Sequence, residues 1–356
     1  MIAHCNPFCQ ESDSKNYEMN RKAMTIVAVV IISLGFAACS DTEEEPQVTE
    51  TWEVTALLTT TGLGDLGYND QMYLGFCYVR EELGCDVIVR SPSSAAEASA
   101  MAEEWMSAKV TTGQHRLLVL CDETYSEQVR QEGWQSTSDN VILQLDCNDE
   151  TLPVYTRSMP LYGACYAVGR MMSELPDAAD KHAAVVMANG EDKGIVEGRG
   201  GFAEGACEVG VNVDFYYLAD KAGEGYNLAD SVYHLCYDIA PETFFMLPLA
   251  GGSNNGVYRY GREKHANPIV TCALDADMAY TSYYSIFGIM KYVDQVILDF
   301  CRNWKDGTPN EQHAMCGLAS GYVEIQTSPT YSGQLEDELE ALLPEAIEQE
   351  NKKYNP

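Results

Sequence analysis

Short apolar runs alternate with amphipathic segments along most of the chain. The runs are rich in Val, Ile and Leu and are bounded by polar turns, which is typical of buried strands. They cover residues 54–60, 85–90, 116–121, 140–145, 182–188, 211–218, 243–250 and 268–274. Segments with helical spacing lie between them, at 69–83, 95–109, 124–133, 162–175, 194–208, 227–239 and 255–264. This alternation predicts parallel sheets covered by helices on both faces.

The alternation falls into two blocks, which predicts two lobes. The segment that joins the blocks, TLPVYTRSMPLYGACYAVGRMMSEL, contains no long flexible linker. We therefore expect a first lobe of residues 53–157 with part of 275–330. The second lobe then comprises residues 158–274 with part of the C-terminal region.

The end of the chain adds further predicted elements. A helix is expected at 282–304 and a strand-like run at 313–328, and residues 331–356 form a C-terminal helix and tail. The predicted fold class is α/β, with two doubly wound parallel-sheet lobes and a central ligand cleft. Such sheets bind ligands beyond the carboxyl ends of their strands, so this is the architecture of a hinged binding protein.

The N-terminal region has the pattern of an export signal. Residues 21–39 read RKAMTIVAVVIISLGFAAC, a basic start followed by a short apolar run and small residues. The apolar run is shorter than the roughly 20 residues of a membrane-spanning helix. The end of this segment resembles a lipobox, which implies a lipid on Cys39 and a location in the cell envelope, at the periplasmic face or the cell surface. Residues 1–38 are then a non-native extension plus a signal peptide that begins at Met19.

Residues 39–52 predict a solvated tether between the lipid and the folded domain. The segment after the cysteine, SDTEEEPQVTE, is acidic, contains a proline and has no apolar periodicity. Similar acidic runs mark surface export in some Gram-negative lipoproteins.

The charge balance excludes one class of partner. The chain has 22 Lys and Arg against 54 Asp and Glu, a formal net charge of −32. Such a surface repels polyphosphate backbones, so nucleic acid is not expected as a partner.

The cysteines do not indicate a metal site. Without Cys5, Cys9 and Cys39, ten of the 13 remain, with no C-x-x-C and no zinc spacing. Most lie in apolar surroundings, where free cysteine behaves as a small buried hydrophobe. A disulfide or two in an oxidising compartment remains open.

Several loops after predicted strands share an order of motifs with a known family. The loops read GLGDLGYNDQMYLGF (62–76), AGGSNNGVY (250–258), ALDADM (273–278) and GIMKYVDQV (288–296). They resemble the patterns D-K-S-F-N, A-G-G-T-G-N-G-V, G-V-D-S-D-Q and S-x-x-K-R-V-D of the basic membrane lipoprotein family of ABC transporter substrate-binding proteins, in order from Val54 to Val323.

This resemblance implies a fold, a ligand and a partner. The fold is that of type I periplasmic binding proteins, and the best understood members of the family are purine nucleoside receptors. The expected ligand is therefore a nucleoside, with a purine favoured, and the expected partner is an ABC transporter permease or another uptake complex. The sequence departs from the family at Tyr68 (Phe in the family), at Asn254 and Ala273 (Gly) and at Met278 (Gln).

The first motif supplies three candidate ligand residues, each with a structural alternative. Asp65 either caps the following helix or accepts from a ligand hydroxyl or base. Asn69 either caps that helix or bonds a base edge. Tyr68 is either a surface aromatic or a ring that stacks on a base, and as a loop residue it is expected to bury little without ligand. Asp122, at the end of another strand, is either a cap or a cleft acceptor.

The glycine-rich motif contributes Gly251, Gly252 and Asn254. Glycines here form a tight turn before a helix, and the same turn brings backbone close to a ligand. The stretch lacks both G-x-G-x-x-G and G-K-[ST], so it is not a dinucleotide or phosphate loop.

Asp275 and Lys291 are the candidate ligand pair on the last two motifs. The resemblance implies that they bind ribose hydroxyls, since a carboxylate accepts and an ammonium donates to a diol. The alternative is a structural ion pair across the lobe.

Catalysis has little support in the sequence. None of the six histidines lies in a metal or triad motif, and no G-x-S-x-G is present. We therefore expect no catalytic residues, no cofactor and no enzyme. The alternatives that remain are the same fold binding another small molecule such as a sugar, as a sensor or uptake component, and a hydrolase acting on the nucleoside.

Overall fold

A computed structural model describes residues 49–178, 180–263, 266–275, 281–329 and 333–354. The export segment, Cys39, the first part of the tether, and Met278 of the third motif lie outside the described residues.

One sheet is built mainly from the first half of the chain. Its strands are β1 (Thr51–Leu57), β2 (Asp86–Arg90), β3 (Gln114–Leu120), β4 (Asn140–Leu145), β5 (Tyr155–Ser158) and β11 (His313–Met315). The spatial order is β11-β5-β4-β3-β1-β2, and the neighbouring strands pair in parallel.

The second sheet repeats this order in the second lobe. Its strands are β6 (His182–Met187), β7 (Val213–Tyr217), β8 (Thr243–Leu249), β9 (Val270–Leu274), β10 (Ser285–Lys291) and β12 (Val323–Thr327). The order is β12-β10-β9-β8-β6-β7, with β12 antiparallel to β10 and the other pairs parallel. Each strand of one sheet therefore has a counterpart at the same position in the other.

Helices cover both faces of each sheet. They are α1 (Tyr68–Leu83), α2 (Ala95–Ser107), α3 (Ser126–Glu132), α4 (Tyr162–Arg170), α5 (Lys193–Glu208), α6 (Ala229–Ile239), α7 (Asn255–Arg262), α8 (Val293–Asp306) and α9 (Gln334–Tyr354). Consecutive strand residues reach different cores: Leu117 lies in one hydrophobic cluster and Leu118 in another. This explains the unbroken apolar runs, because strands covered on both faces have no polar side.

The chain crosses between the lobes after β5, after β10 and after β11. Helix α4, which follows β5, packs against α5 of the second lobe, and α9 packs against α4. Helix α8, which follows β10, returns to pack against α1 of the first lobe. Both sheets belong to one compact unit, Val48–Pro356.

The predicted helix at 282–304 is wrong in its first half. The segment forms β10, an interior strand that is buried along its whole length, and the helix α8 begins only at Val293. A short apolar run with no polar face fits a buried helix and a buried strand equally well, so periodicity could not separate the two. The run at 313–328 likewise forms two strands in different sheets, β11 and β12, with a short helical turn between them.

In the described part of the chain, every helix is too short or too polar to cross a lipid bilayer.

Candidate functional site

The carboxyl ends of the strands in the two lobes come together across a cleft. The Asn255 side-chain amide of the second lobe donates a hydrogen bond to the Asp65 carbonyl oxygen of the first, at 3.0 Å. The Lys193 ammonium lies 3.6 Å from the Glu123 carboxylate. These contacts show that the lobes touch.

Asp65 and Asn69 organise the start of α1. One carboxylate oxygen of Asp65 accepts from the Gly67 amide, and the other accepts from the backbone and side-chain amides of Asn69 at 3.0 and 2.9 Å. The Asn69 side-chain oxygen in turn accepts from the Thr59 backbone amide at 3.2 Å. The Asp65 carboxylate therefore accepts from amides of the first turn of α1, which matches its capping alternative, whereas the Asn69 side chain bonds Thr59 and Asp65 and does not cap the helix. Both side chains are buried.

Asp122 also has a capping contact, while it faces other carboxylates. Its side chain accepts from the Thr124 backbone amide at 2.9 Å and from the Thr124 hydroxyl, which caps the short helical turn after β3. Burial raises the pKa of Asp122 to about 6, opposed by the Thr124 hydrogen bonds and increased by Asp146 and Asp192. A ligand hydroxyl that donates to Asp122 would relieve this desolvation.

Lys291, the last residue of β10, lies between two carboxylates. Its ammonium is 2.8 Å from Asp146 at the end of β4 and 3.9 Å from Asp275 at the end of β9. The Asp275 carboxylate also accepts from the Lys291 backbone amide at 3.3 Å. The predicted pair is therefore brought together, and a residue that the sequence did not single out, Asp146, joins it from the other lobe.

Burial and charge set the protonation of this group. Burial raises the pKa of Asp275 to about 6, opposed by the Lys291 ammonium and increased by Asp146. Burial alone would lower the pKa of Lys291, but the Asp146 and Asp275 carboxylates outweigh it and hold that pKa above its usual value. Lys291 is therefore a cation at neutral pH and can donate hydrogen bonds.

Tyr68 lies against this ion-pair group. The Lys291 ammonium is 4.5 Å from the centre of the Tyr68 ring. The Tyr68 hydroxyl is buried, and no hydrogen-bond partner for it occurs in the described part of the chain. Burial, with a smaller contribution from Asp146, raises the pKa of this hydroxyl well above its usual value, so it stays protonated.

The expectation that Tyr68 buries little is wrong. Tyr68 is the first residue of α1 and packs against the hydrophobic cluster of the first lobe. Its removal should therefore affect folding as well as binding.

The glycine turn supports an aromatic wall. Gly251 has a φ of +53°, and a side chain there would come within 2.9 Å of the Tyr226 ring. Gly252 packs under the Tyr226 carbonyl oxygen and lies close to the Asp65 side chain. Asn254 has a structural role in the turn, because its buried side chain accepts from the Ala250 backbone amide at 2.9 Å.

A cavity of about 370 Å³ adjoins this turn between the lobes. Thr60 and Thr61 of the first lobe form one wall, and Ala219 with residues 223–228 of the second lobe form the other. Its volume is within the roughly 300–1,000 Å³ usual for small-molecule sites. Hydroxyl, amide and aromatic groups line it together with the Glu224 carboxylate, a mixture that suits a small polar ligand.

Asp192 fixes the second wall of this cavity. Its carboxylate accepts from the Tyr226 hydroxyl at 2.6 Å, from the Gly223 backbone amide at 3.1 Å and from the Asn189 side chain at 2.7 Å. The loop is therefore held in place on its own lobe.

Sequence reasoning missed Asp146, Asp192 and Tyr226. Asp146 follows the strand NVILQL directly, as Asp122 follows RLLVLC, so the same signal was present in the sequence. Asp192 and Tyr226 belong to loops without a recognisable motif. The described residues contain no cluster of three or more His, Cys, Asp or Glu arranged to hold a metal ion.

The packing of Tyr68 leads to a testable expectation. Tyr68→Ala should weaken ligand binding by about 1–3 kcal/mol if the ring stacks on a base, and it should also destabilise the fold because a packed ring is lost. Tyr68→Phe keeps the ring and removes a buried hydroxyl without a described partner, so stability should be unchanged or higher. Calorimetric titration and thermal melting of both variants measure the two effects. Normal affinity in Tyr68→Ala would remove the ring from the site.

Comparison with known proteins gives the fold. No protein-family model matches the sequence. No curated protein matches it either. Among solved structures, an ABC transporter solute-binding protein from Aeropyrum pernix K1 is similar with a TM-score of 0.64 and 17% identity, covering 85% of this chain and 86% of that one.

Two further structures are similar over most of their length. A transcriptional activator of the comK gene from Bacillus halodurans has a TM-score of 0.62 and 13% identity, covering 83% of this chain and 97% of that one. An ABC transporter solute-binding protein from Burkholderia graminis C4D1M, in complex with D-arabinose, has a TM-score of 0.58 and 12% identity, covering 81% and 99%.

These similarities define the class of fold. The chain has the two-lobed α/β fold of periplasmic binding protein-like solute-binding proteins, and the predicted fold class is confirmed. At these identities the similarity establishes the fold alone, and the nucleoside ligand stays a prediction.

Proposed function

We propose that this protein is a solute-binding protein that captures a nucleoside, with a purine preferred, between its lobes for uptake by a transporter. The observation that carries the proposal is the group formed by Tyr68, Asp275 and Lys291 at the carboxyl ends of the strands. The cavity between the lobes is lined by other residues. Ligands of doubly wound sheets bind at this edge.

The chemistry of the group suits a neutral ligand rich in hydroxyls. The Lys291 ammonium and the Asp275 carboxylate can donate to and accept from the same diol. Asp146 and Asp275 outnumber the one lysine that lies between them, and Asp122 adds a third carboxylate near Asp146, so an anionic ligand would be repelled. A nucleoside or a sugar fits these conditions better than a nucleotide.

The remaining proposed contacts come from the cavity walls. Thr60, Thr61 and Asn227 offer hydroxyl and amide groups, and Tyr226 offers a flat aromatic surface for a base. Tyr68, the other aromatic residue proposed for base stacking, lies beside Lys291 and not in the lining of this cavity. Asp65, Asn69, Gly251, Gly252 and Asn254 support these walls through the contacts described above.

A sugar is the second candidate ligand. The Burkholderia graminis protein with the same fold holds D-arabinose, and the diol-binding group of Asp275 and Lys291 would serve a pentose as well as a ribose. In this case the aromatic rings would pack on a sugar face.

A thermal melt with purine nucleosides, their free bases and free pentoses tests the proposal. A nucleoside at a hundredfold excess over its Kd should stabilise the protein by about 2.7 kcal/mol, since it binds the folded state alone. The free base should stabilise less, because Asp275 and Lys291 would be left without hydroxyl partners. A rise in melting temperature with pentoses alone would favour a sugar as the ligand. If no nucleoside raises the melting temperature, the proposal is contradicted. Recovery of the nucleoside unchanged separates binding from hydrolysis.

The proposed location is the cell envelope. The export segment and Cys39 support lipid anchoring at the periplasmic face or the cell surface. An ABC transporter permease or another uptake complex would then receive the ligand, consistent with the transporter solute-binding proteins that share the fold.

A further inference from the structure

Asp146 and Asp275 occupy equivalent positions in the two lobes. Each directly follows a strand, β4 or β9, and these strands take the same place in the matching strand orders. Both residues have left-handed backbone, with φ of +49° and +52°, which is uncommon for residues other than glycine. The two lobes therefore present the same side chain, in the same backbone conformation, to the single ammonium of Lys291.

The two aspartates differ in their relation to that lysine. Asp275 belongs to the same lobe as Lys291 and is joined to it through the backbone amide. Asp146 belongs to the other lobe and makes the shorter contact, 2.8 Å against 3.9 Å. If the lobes separate, Lys291 keeps Asp275 and loses Asp146.

The Asp146 contact is also better shielded than the other interlobe ion pair described above. The Lys291 side chain is 7% exposed, whereas the Lys193 side chain that faces Glu123 is 62% exposed. Solvent weakens the attraction within an exposed pair, and the attraction within a shielded pair is stronger because water competes less. The contact between Asn255 and the Asp65 carbonyl oxygen carries no formal charge.

We propose that Asp146 is a positioning residue that holds Lys291 between the lobes and stabilises the closed arrangement of the cleft. It fixes the Lys291 ammonium over the Tyr68 ring. Closure is then coupled to the state of one ion pair, and the ligand affinity depends on Asp146 without a direct contact. The expected effect on ligand affinity rests on the proposed function, but the expected effect on closure without ligand does not.

Hydrogen–deuterium exchange without ligand tests whether Asp146 stabilises the closed arrangement. Asp146→Asn removes the charge and keeps a residue that tolerates left-handed backbone. We expect faster exchange at both cleft edges, in residues 59–68 and 250–256, although neither segment contains Asp146 or Lys291. Faster exchange confined to residues 144–148 would reduce Asp146 to a local structural role and overturn the proposal.

A matched control comes from the same loop. Glu150 is exposed, so Glu150→Gln makes the same change in charge without touching the cleft and should leave exchange at both edges unchanged. Asp146→Gly is a second test variant, because glycine adopts the left-handed backbone without strain and has no side chain. It should reproduce the Asp146→Asn pattern, and wild-type exchange in both variants would also contradict the proposal.

Ligand-binding kinetics separate a positioning role of Asp146 from a direct contact between Asp146 and the ligand. With whichever nucleoside or pentose shifts the melting temperature, Asp146→Asn should raise the dissociation rate about tenfold while the association rate changes less than threefold, because closure follows encounter. In a Lys291→Met background the same substitution should have no further effect. An equal loss in both backgrounds would mean that Asp146 acts independently of Lys291. If none of these compounds binds, the proposed function fails, and the exchange experiment still decides the role of Asp146.

Discussion

Gly205→Ala should cost about 3 kcal/mol of folding stability or prevent folding of the second lobe. Gly205 lies on α5 where that helix crosses α4, and an added methyl would overlap the Tyr166 carbonyl oxygen and lie 2.9 Å from the Arg170 amide nitrogen. Both neighbours are backbone atoms of α4, so the overlap cannot be relieved by a rotamer change. Overpacking of this kind costs about 1–3 kcal/mol, and the upper end applies when helices must separate.

Gly200→Ala, on the same helix, is the matched control. The nearest atom to its added methyl is 3.9 Å away, on the Tyr162 ring. Alanine is favoured over glycine inside a helix by up to about 1 kcal/mol, so this variant should be as stable as the wild type or more so. Urea unfolding followed by circular dichroism measures both. Equal stability of the two variants would mean that α4 and α5 can move apart without cost.

The buried strands could be predicted because burial leaves a strong mark on the sequence. The run NVILQL was predicted as a strand at 140–145, and β4 has those bounds. It is short, bounded by polar residues and flanked by segments with helical spacing, so its length and its context both favoured a strand. The alternation of such runs with helices then indicated parallel sheets.

The same reasoning failed where local pattern and tertiary context diverge. Residues 285–291 continue directly into α8, and a joint apolar stretch reads as one long helix. Residues 285–291 form a strand because the neighbouring strands β9 and β12 supply their hydrogen-bond partners. Those partners lie elsewhere in the sequence, so no local window contains the information.

The candidate site was predicted on one side of the cleft better than on the other. Asp275 and Lys291 were paired by their motifs, and the structure places them together. Asp146 carries the same signal as Asp122, a polar residue directly after a buried run, but its partner comes from the opposite lobe. Contacts between lobes depend on how the chain closes, which spacing along the sequence does not reveal.

Lys291→Met should be the most damaging single change at the site, and the loss should depend on pH. Removing one member of a buried ion pair costs about 3–5 kcal/mol, because the carboxylates keep their desolvation without a counter-charge. The pKa of Asp275, raised to about 6 by burial, is held down by Lys291, so the substitution should raise it further. We therefore expect a large loss of stability at pH 8 and a smaller one at pH 5.

The direction of the pH effect follows from proton binding. A carboxyl whose pKa is higher in the folded state binds more protons when folded, so stability falls as pH rises from the unfolded pKa of about 4 through the folded pKa near 6. Asp275 contributes this loss in the wild type, and Lys291→Met should extend it to higher pH. The pKa of Lys291 itself is raised, so its contribution is fully present at pH 5 and at pH 8.

Lys193→Met provides the comparison, because Lys193 faces a carboxylate across the same cleft while 62% of its side chain is exposed. It should cost at most about 1 kcal/mol, since solvent screens the pair. Melting the wild type and both variants at pH 5 and pH 8 gives the six values needed. A pH-independent loss in Lys291→Met would assign the effect to the lost contact between the Lys291 ammonium and the Tyr68 ring. A loss that grows with pH would show that the Lys291 charge is what allows ionised aspartates to remain buried between the lobes.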